Sequence, residues 1–86
     1  MSVYVDVPRW KLGRMVMCHM IADSLDELHE MATKLGLKRD WFQDRASTPH
    51  YDVCKRKRVQ AVRLGAIACD RRAFVGHVRR IRAEGG

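Results

Sequence analysis

Cysteine is too scarce and too irregularly placed in this chain to build a framework. Cys18, Cys54 and Cys69 are an odd number with no CxxC spacing, which argues against a disulfide scaffold and against a zinc site made of thiolates. They read as small core residues in a reducing compartment. Long apolar runs are missing too. No stretch approaches the roughly 20 residues that a membrane span requires. No basic segment of the kind that opens a secretory signal precedes Val3-Tyr4-Val5. The expectation is a cytoplasmic protein with no membrane partner. Acidic residues are scarce in one half only. Residues 1–45 hold seven Lys/Arg against seven Asp/Glu, and residues 46–86 hold ten against three, so the whole excess of +7 lies in the second half. A one-sided basic field suits a polyanion: nucleic acid, a nucleotide phosphate or an acidic protein surface. The plainer alternative is a solvated face that keeps the chain in solution.

What is present fits one small α/β domain, residues 1–86. A composition 47% hydrophobic and 31% charged is that of a globular chain, and at this length the core is only just sufficient. Val3-Tyr4-Val5 reads as a first strand, ended by Asp6 and Pro8. Arg9 to Arg14 reads as a basic loop, and Met15 to Ala22 as a second strand interrupted by His19. Ser24-Leu25-Asp26-Glu27 is a capping box. It opens a helix with Leu25, Leu28, Ala32 and Leu35 at helical spacing and Gly36 as its stop. Leu37 to Gln43 reads as a third strand, and Asp44 to Pro49 as a polar loop. A second helix runs from about Cys54 to Leu64, capped by Asp52, with Val59 and Val62 as a thin apolar stripe. Ala66 to Cys69 is a short fourth strand. Asp70 caps a third helix with Phe74, Val78 and Ile81 on one face, and residues 84–86 fray. Alternation of helix and strand predicts a mixed or mostly parallel sheet of three to four strands with about three helices. The first two strands, joined by a connection too short for a helix, pair antiparallel.

In a parallel sheet, ligands bind beyond the carboxyl ends of the strands, where helices begin. That edge would collect Asp6, Asp23, Ser24, Gln43 and Asp70, with His50 and Asp52 just before the second helix. Free amides at the helix starts would suit a phosphate there.

The segments Tyr4-Val5-Asp6 with Pro8-Arg9-Trp10, His19 to His29, Trp41-Phe42-Gln43, and His50-Tyr51-Asp52 followed by Lys57-Arg58 and Leu64-Gly65-Ala66 form a specific combination. In it the chain resembles an uncharacterised family of small bacterial and phage proteins, a domain of unknown function. The likeness covers about residues 3–75. It implies that these polar positions belong to one pattern and supplies no activity. The chain departs from the pattern at Cys54-Lys55, where a Thr-Pro helix opening would be expected.

His50 is the candidate acid/base, since an imidazole titrates near neutrality; otherwise it satisfies a loop backbone group. Asp52, two positions on, would orient His50 if a turn brought them together; otherwise it only caps a helix. His19 sits in an apolar segment, where a lone histidine is more often a hydrogen-bonded core residue. If it met His50, the two imidazoles would suit phosphodiester chemistry. His29 and His77 read as surface residues. Asp6, Asp23 and Asp70 each follow a strand, a pattern that holds Mg²⁺ in nucleases, but Asp23 and Asp70 already have capping roles; Asp6 and Asp52 would either orient His50 or bind a metal, with Mg²⁺ the candidate cofactor, and no fixed metal-ligand set is assigned. Asp6 has no capping role and is the stronger catalytic candidate. Arg9 and Trp10 would clamp a phosphate and stack a base. Lys55, Arg56, Lys57 and Arg58 place four cations at a helix start, against the macrodipole, which an anion bound there would relieve. Two functions result. One is a nucleic-acid- or nucleotide-phosphate-binding protein with phosphoryl-transfer or nuclease-type activity. The other is a non-enzymatic phage or mobile-element factor that docks its basic face on an acidic protein.

Overall fold

In the computed structural model, which describes residues 2–44 and 48–84, one strand organises the rest. This is β3, Met15–Ala22. Along one side of it run β1, Val3–Val5, and β2, Trp10–Leu12, both antiparallel. Along the other side runs β4, Tyr51–Cys54, again antiparallel. The short β5, Ile67–Ala68, extends the sheet by pairing parallel to β1. The sheet is therefore mixed and five-stranded, with three antiparallel pairings and one parallel.

β1 and β2 are two parts of one interrupted strand. Asp6 N donates to His19 O and Arg9 N to Met17 O, so Val7, Pro8 and Arg9 stand opposite the single residue Cys18. The extra residues, with a proline that cannot donate to the ladder, bulge out and re-aim the side chains around them. Gly13 (φ 61) and Arg14 then turn the chain into β3, with Leu12 facing Met15. Glycine at the first turn position with positive φ is the signature of a tight hairpin. The basic loop expected over residues 9–14 is thus mostly strand, and Trp10 is a strand residue.

The two faces of the sheet are covered differently. Helix α1, Leu25–Lys34, and helix α2, Lys55–Arg63, lie on one face. The core there gathers Val5, Cys18, Met20, Tyr51 and Val53 from the strands with Leu28, Met31, Leu35 and Ala61 from the helices. Helix α3, Arg71–Glu84, lies on the other face over a smaller cluster of Tyr4, Ile21, Cys69 and Phe74. The α1 start is as expected, with Ser24 Oγ accepting from Glu27 N, although the Glu27 carboxylate is met by the Ser24 hydroxyl rather than its amide. Gly36 at φ 75 supplies the left-handed residue that ends α1. Asp70 Oδ1 accepts from Ala73 N and caps α3.

Several expectations are corrected. Residues 37–43 form no strand: Arg39–Trp41 is a single 3₁₀ turn, and Gln43 makes only an isolated bridge to His50. Asp52 does not cap α2, because it lies inside β4, and Cys54 takes the cap position without a side-chain hydrogen bond. Val59 and Val62 face solvent, and Ala61 is the residue α2 buries. Of the two sheet types expected, mixed or mostly parallel, the mixed one forms, with five strands and a single parallel pairing. Because β3 runs against β1, its carboxyl end is at the opposite edge, so Asp23 and Ser24 stand away from Asp6. Residues 45–47 of the polar loop and residues 85–86 lie outside those described.

Candidate functional site

The register of three strands builds the site. His19 on β3 is the cross-strand partner of Asp52 on β4, and on its other side it faces Asp6, whose amide donates to His19 O. Directly opposed residues point to the same face, so Asp6, His19 and Asp52 form one row across the sheet. His50 lies two residues before Asp52 in extended chain, and residues two apart on a strand share a face. No turn is needed to bring the two together. This row is on the α3 face, near the helix's first residue, Arg71.

The centre of the row is a carboxylate oxygen between two imidazoles. Asp52 Oδ1 lies 3.6 Å from His19 Nε2 and 3.5 Å from His50 Nε2. It is shielded from solvent and accepts no hydrogen bond. Its sister oxygen accepts from Gln43 Nε2 at 2.6 Å. The rings of His19 and His50 meet edge to face with centroids 4.8 Å apart. His50 Nδ1 donates to the Thr48 carbonyl at 2.8 Å, which places a proton on that nitrogen and turns Nε2 toward Asp52. Burial holds the His19 imidazole below the ordinary histidine value; the charges of His50 and Arg9 push the same way, and Asp52 and Asp6 oppose them.

Asp6 is fully buried and acts as the anchor of the basic rim. Its Oδ1 accepts from the Val7 amide, and its Oδ2 accepts from Arg9 Nε at 3.1 Å and Arg71 Nη1 at 2.9 Å. Arg58 Nε donates to the Asp6 backbone carbonyl. Arg9 also reaches His19 Nδ1 at 3.2 Å and lies over the Trp10 ring, which is itself 4.7 Å from the His19 ring. Two carboxylates thus face three guanidinium groups, which among themselves leave one surplus positive charge. An open cavity of about 250 Å³ leads to it, lined by His19, His50, Thr48, Arg71, Phe74 and Val78 among others.

The structure brings Asp6, Arg9, Trp10, His19, His50 and Asp52 together. The basic run is divided. Lys57 Nζ donates to Leu35 O at the end of α1, and Arg58 holds the Asp6 backbone, so both have fold-building partners. Lys55 and Arg56 are exposed. His29 and His77 are not free surface residues: His29 Nδ1 bonds the Tyr51 hydroxyl, and His77 stacks on Tyr4. Asp23 is engaged with Arg80, Tyr4 and the Ser2 amide. Sequence reasoning missed Arg71 and the Gln43 and Thr48 contacts. Arg71 was accessible to it, as the first residue of a helix that leaves the sheet next to Asp6.

The chain belongs to a family described as a protein of unknown function (DUF4031), whose model matches residues 3–82. No curated protein and no solved structure matches it. Among the described residues, no helix is long and apolar enough to cross a membrane.

Proposed function

We propose that the protein binds the phosphate group of a nucleic acid or nucleotide over the His19–Asp52–His50 cluster and catalyses cleavage or transfer at that phosphate. The observation that carries this reading is the pairing of two imidazoles on one buried carboxylate oxygen, in a cavity with guanidinium groups at its rim. Such a cluster activates a water or hydroxyl nucleophile. An imidazole nitrogen of the cluster takes the nucleophile's O–H proton as its oxygen attacks phosphorus, the bond to the leaving oxygen breaks, and that oxygen takes up a proton from the imidazolium or from water. Arg71, whose side chain is 53% exposed, meets the phosphate. Arg9 neutralises it from the other side, and Trp10 offers a ring for a base. Lys55 and Arg56 extend the basic surface along a polynucleotide, each phosphate neutralised adding about 0.9 to the salt slope on duplex.

The test is a native gel with labelled single- and double-stranded RNA and DNA over a salt series, with divalent metal or EDTA. Salt-sensitive binding, with cleavage that disappears in His50→Ala, is the expected result. Binding without cleavage, unchanged in His50→Ala but abolished by reversing Lys55 and Arg56, would leave a non-enzymatic nucleic-acid-binding module instead. No binding at low salt would sink the nucleic-acid reading. Lys57 and Arg58 are unsuitable for the charge reversal, since changing them also removes contacts that hold the fold.

A further inference from the structure

We infer that His19 Nε2, His50 Nε2 and Asp52 Oδ1 are the protein ligands of one divalent transition-metal ion of the Zn²⁺ type. Among the described residues these are the side chains gathered closely enough to share an ion, with one ligand atom from each and all within 4.8 Å of one another. A tetrahedral ion with bonds of about 2.0–2.1 Å keeps its ligand atoms about 3.3–3.4 Å apart. The two oxygen–nitrogen separations, 3.6 and 3.5 Å, lie within a few tenths of an ångström of that spacing.

Three further features point to an ion. Asp52 Oδ1 is shielded from water and has no hydrogen-bond donor, a costly state for a carboxylate oxygen that a cation between the imidazoles would relieve. The groups around the ligands are already arranged to support them. Gln43 holds the second oxygen of Asp52, and the Thr48 carbonyl takes the His50 Nδ1 proton, so the carboxylate and one imidazole are oriented as ligands. The cavity beside His19 and His50 leaves open positions for water and a phosphate oxygen, as a catalytic rather than a structural centre requires.

The ligand types select the ion. Two imidazoles and one carboxylate favour Zn²⁺ and its first-row neighbours over Mg²⁺, which takes oxygen ligands. The all-aspartate Mg²⁺ arrangement does not form, since Asp6 is occupied by arginines, Asp23 by Arg80 and Asp70 by the α3 cap. Coordination also reorders one contact. With the ion on Nε2, His19 carries its proton on Nδ1, which faces Asp6 Oδ2 at 4.0 Å. The Arg9 Nη2 that now touches Nδ1 has to withdraw, and a freed guanidinium beside the ion is placed to meet a phosphate. The inference rests on the proposed reacting centre and makes His50 a ligand there rather than a proton carrier.

The test uses the full, tag-free chain, stripped with EDTA and titrated with Zn²⁺ by calorimetry and with Co²⁺ by absorption. One ion per chain is expected, with visible Co²⁺ bands and no thiolate charge-transfer band. Binding should weaken at least about tenfold in Gln43→Ala, a loss typical of removing a ligand's supporting hydrogen bond, and further in His19→Ala and Asp52→Asn. Circular dichroism reports whether each variant folds; Gln43 is exposed, so its variant keeps the test open if the ligand variants unfold. No uptake, a thiolate band, or uptake undiminished in folded Asp52→Asn would overturn the inference. Zn²⁺ uptake without turnover on any polynucleotide would refute the proposed function and leave the metal centre standing. Turnover insensitive to EDTA would do the reverse.

Discussion

His19 and Asp52 are direct partners across the β3–β4 ladder, with His19 Nε2 3.6 Å from Asp52 Oδ1. Strands lie about 4.8 Å apart, so this meeting follows from register alone. A slip of one residue in β4 would send Asp52 and His50 to the α1/α2 face. It would also carry Tyr51 and Val53, each 1% exposed, out of the core. The apolar residues that alternate with the site residues therefore fix where those residues point.

That coupling makes the site separable from the fold. His50→Ala removes a 13% exposed side chain from the cavity wall while Tyr51 and Val53 stay buried. Turnover should fall by about 10²-fold or more, while the urea midpoint stays close to wild type. A parallel loss of stability and turnover would instead make His50 a packing residue.

The elements that were legible in the sequence are those whose signals are local. The Ser24–Glu27 cap, the Leu28/Ala32/Leu35 stripe and the Asp70 cap each depend on residues within a few positions, and all three elements formed. Trp41 and Phe42 misled because aromatic content suggests a strand only where a pleated, half-buried surface awaits it. Trp41 is 50% exposed on a 3₁₀ turn. The β2–β3 hairpin was hidden by its basic residues, although Gly13-Arg14 between Leu12 and Met15 is a turn signal. The site was legible only in its parts. His19, Asp6 and Asp52 are far apart in sequence, and their meeting depends on the pairing of β3 with two neighbours, which no local pattern reveals. Half of the four-cation run is explained by tertiary partners too, because Lys57 serves the far end of α1 and Arg58 holds the Asp6 backbone.

Lys57 tests that reassignment. Its Nζ donates to Leu35 O at 2.7 Å, bringing a cation to carbonyl groups at the negative end of α1. Lys57→Met should cost roughly 1–2 kcal/mol in urea unfolding and leave nucleic-acid affinity nearly unchanged. If Lys57→Met weakens binding as much as Lys55→Met does, with stability intact, Lys57 belongs to the phosphate surface.

Asp6→Asn addresses the anchor of the rim. Asparagine keeps one acceptor but turns an amide donor toward groups that are themselves donors: the Val7 amide on one side, Arg9 and Arg71 on the other. The arginines are partly exposed, at 33% and 53%, so water recovers part of the loss. A destabilisation of about 1–3 kcal/mol is expected, together with a disordered rim and weaker binding of a phosphate probe. Unchanged stability in chemical denaturation would contradict the role given to Asp6.

The Asp23–Arg80 pair should set the acid limit of stability. Burial raises the Asp23 carboxyl, but hydrogen bonds from Arg80, the Ser2 amide and Tyr4 outweigh it, with the Arg80 charge, and hold the group below its ordinary value of 3.8. The folded state therefore binds that proton less readily than the unfolded chain. Its contribution is complete above the unfolded value and fades as pH falls through the folded one. Arg80 Nη2 donates to Asp23 Oδ1 at 2.8 Å and so ties α3 to the end of β3. Asp23→Asn should be less stable than wild type at neutral pH, and the gap should narrow as pH falls below the ordinary carboxyl value of 3.8 and the wild-type carboxylate protonates. Urea midpoints of both proteins across that range measure this directly. A gap that stays constant with pH would show that the charge of Asp23 adds nothing to its hydrogen bonds.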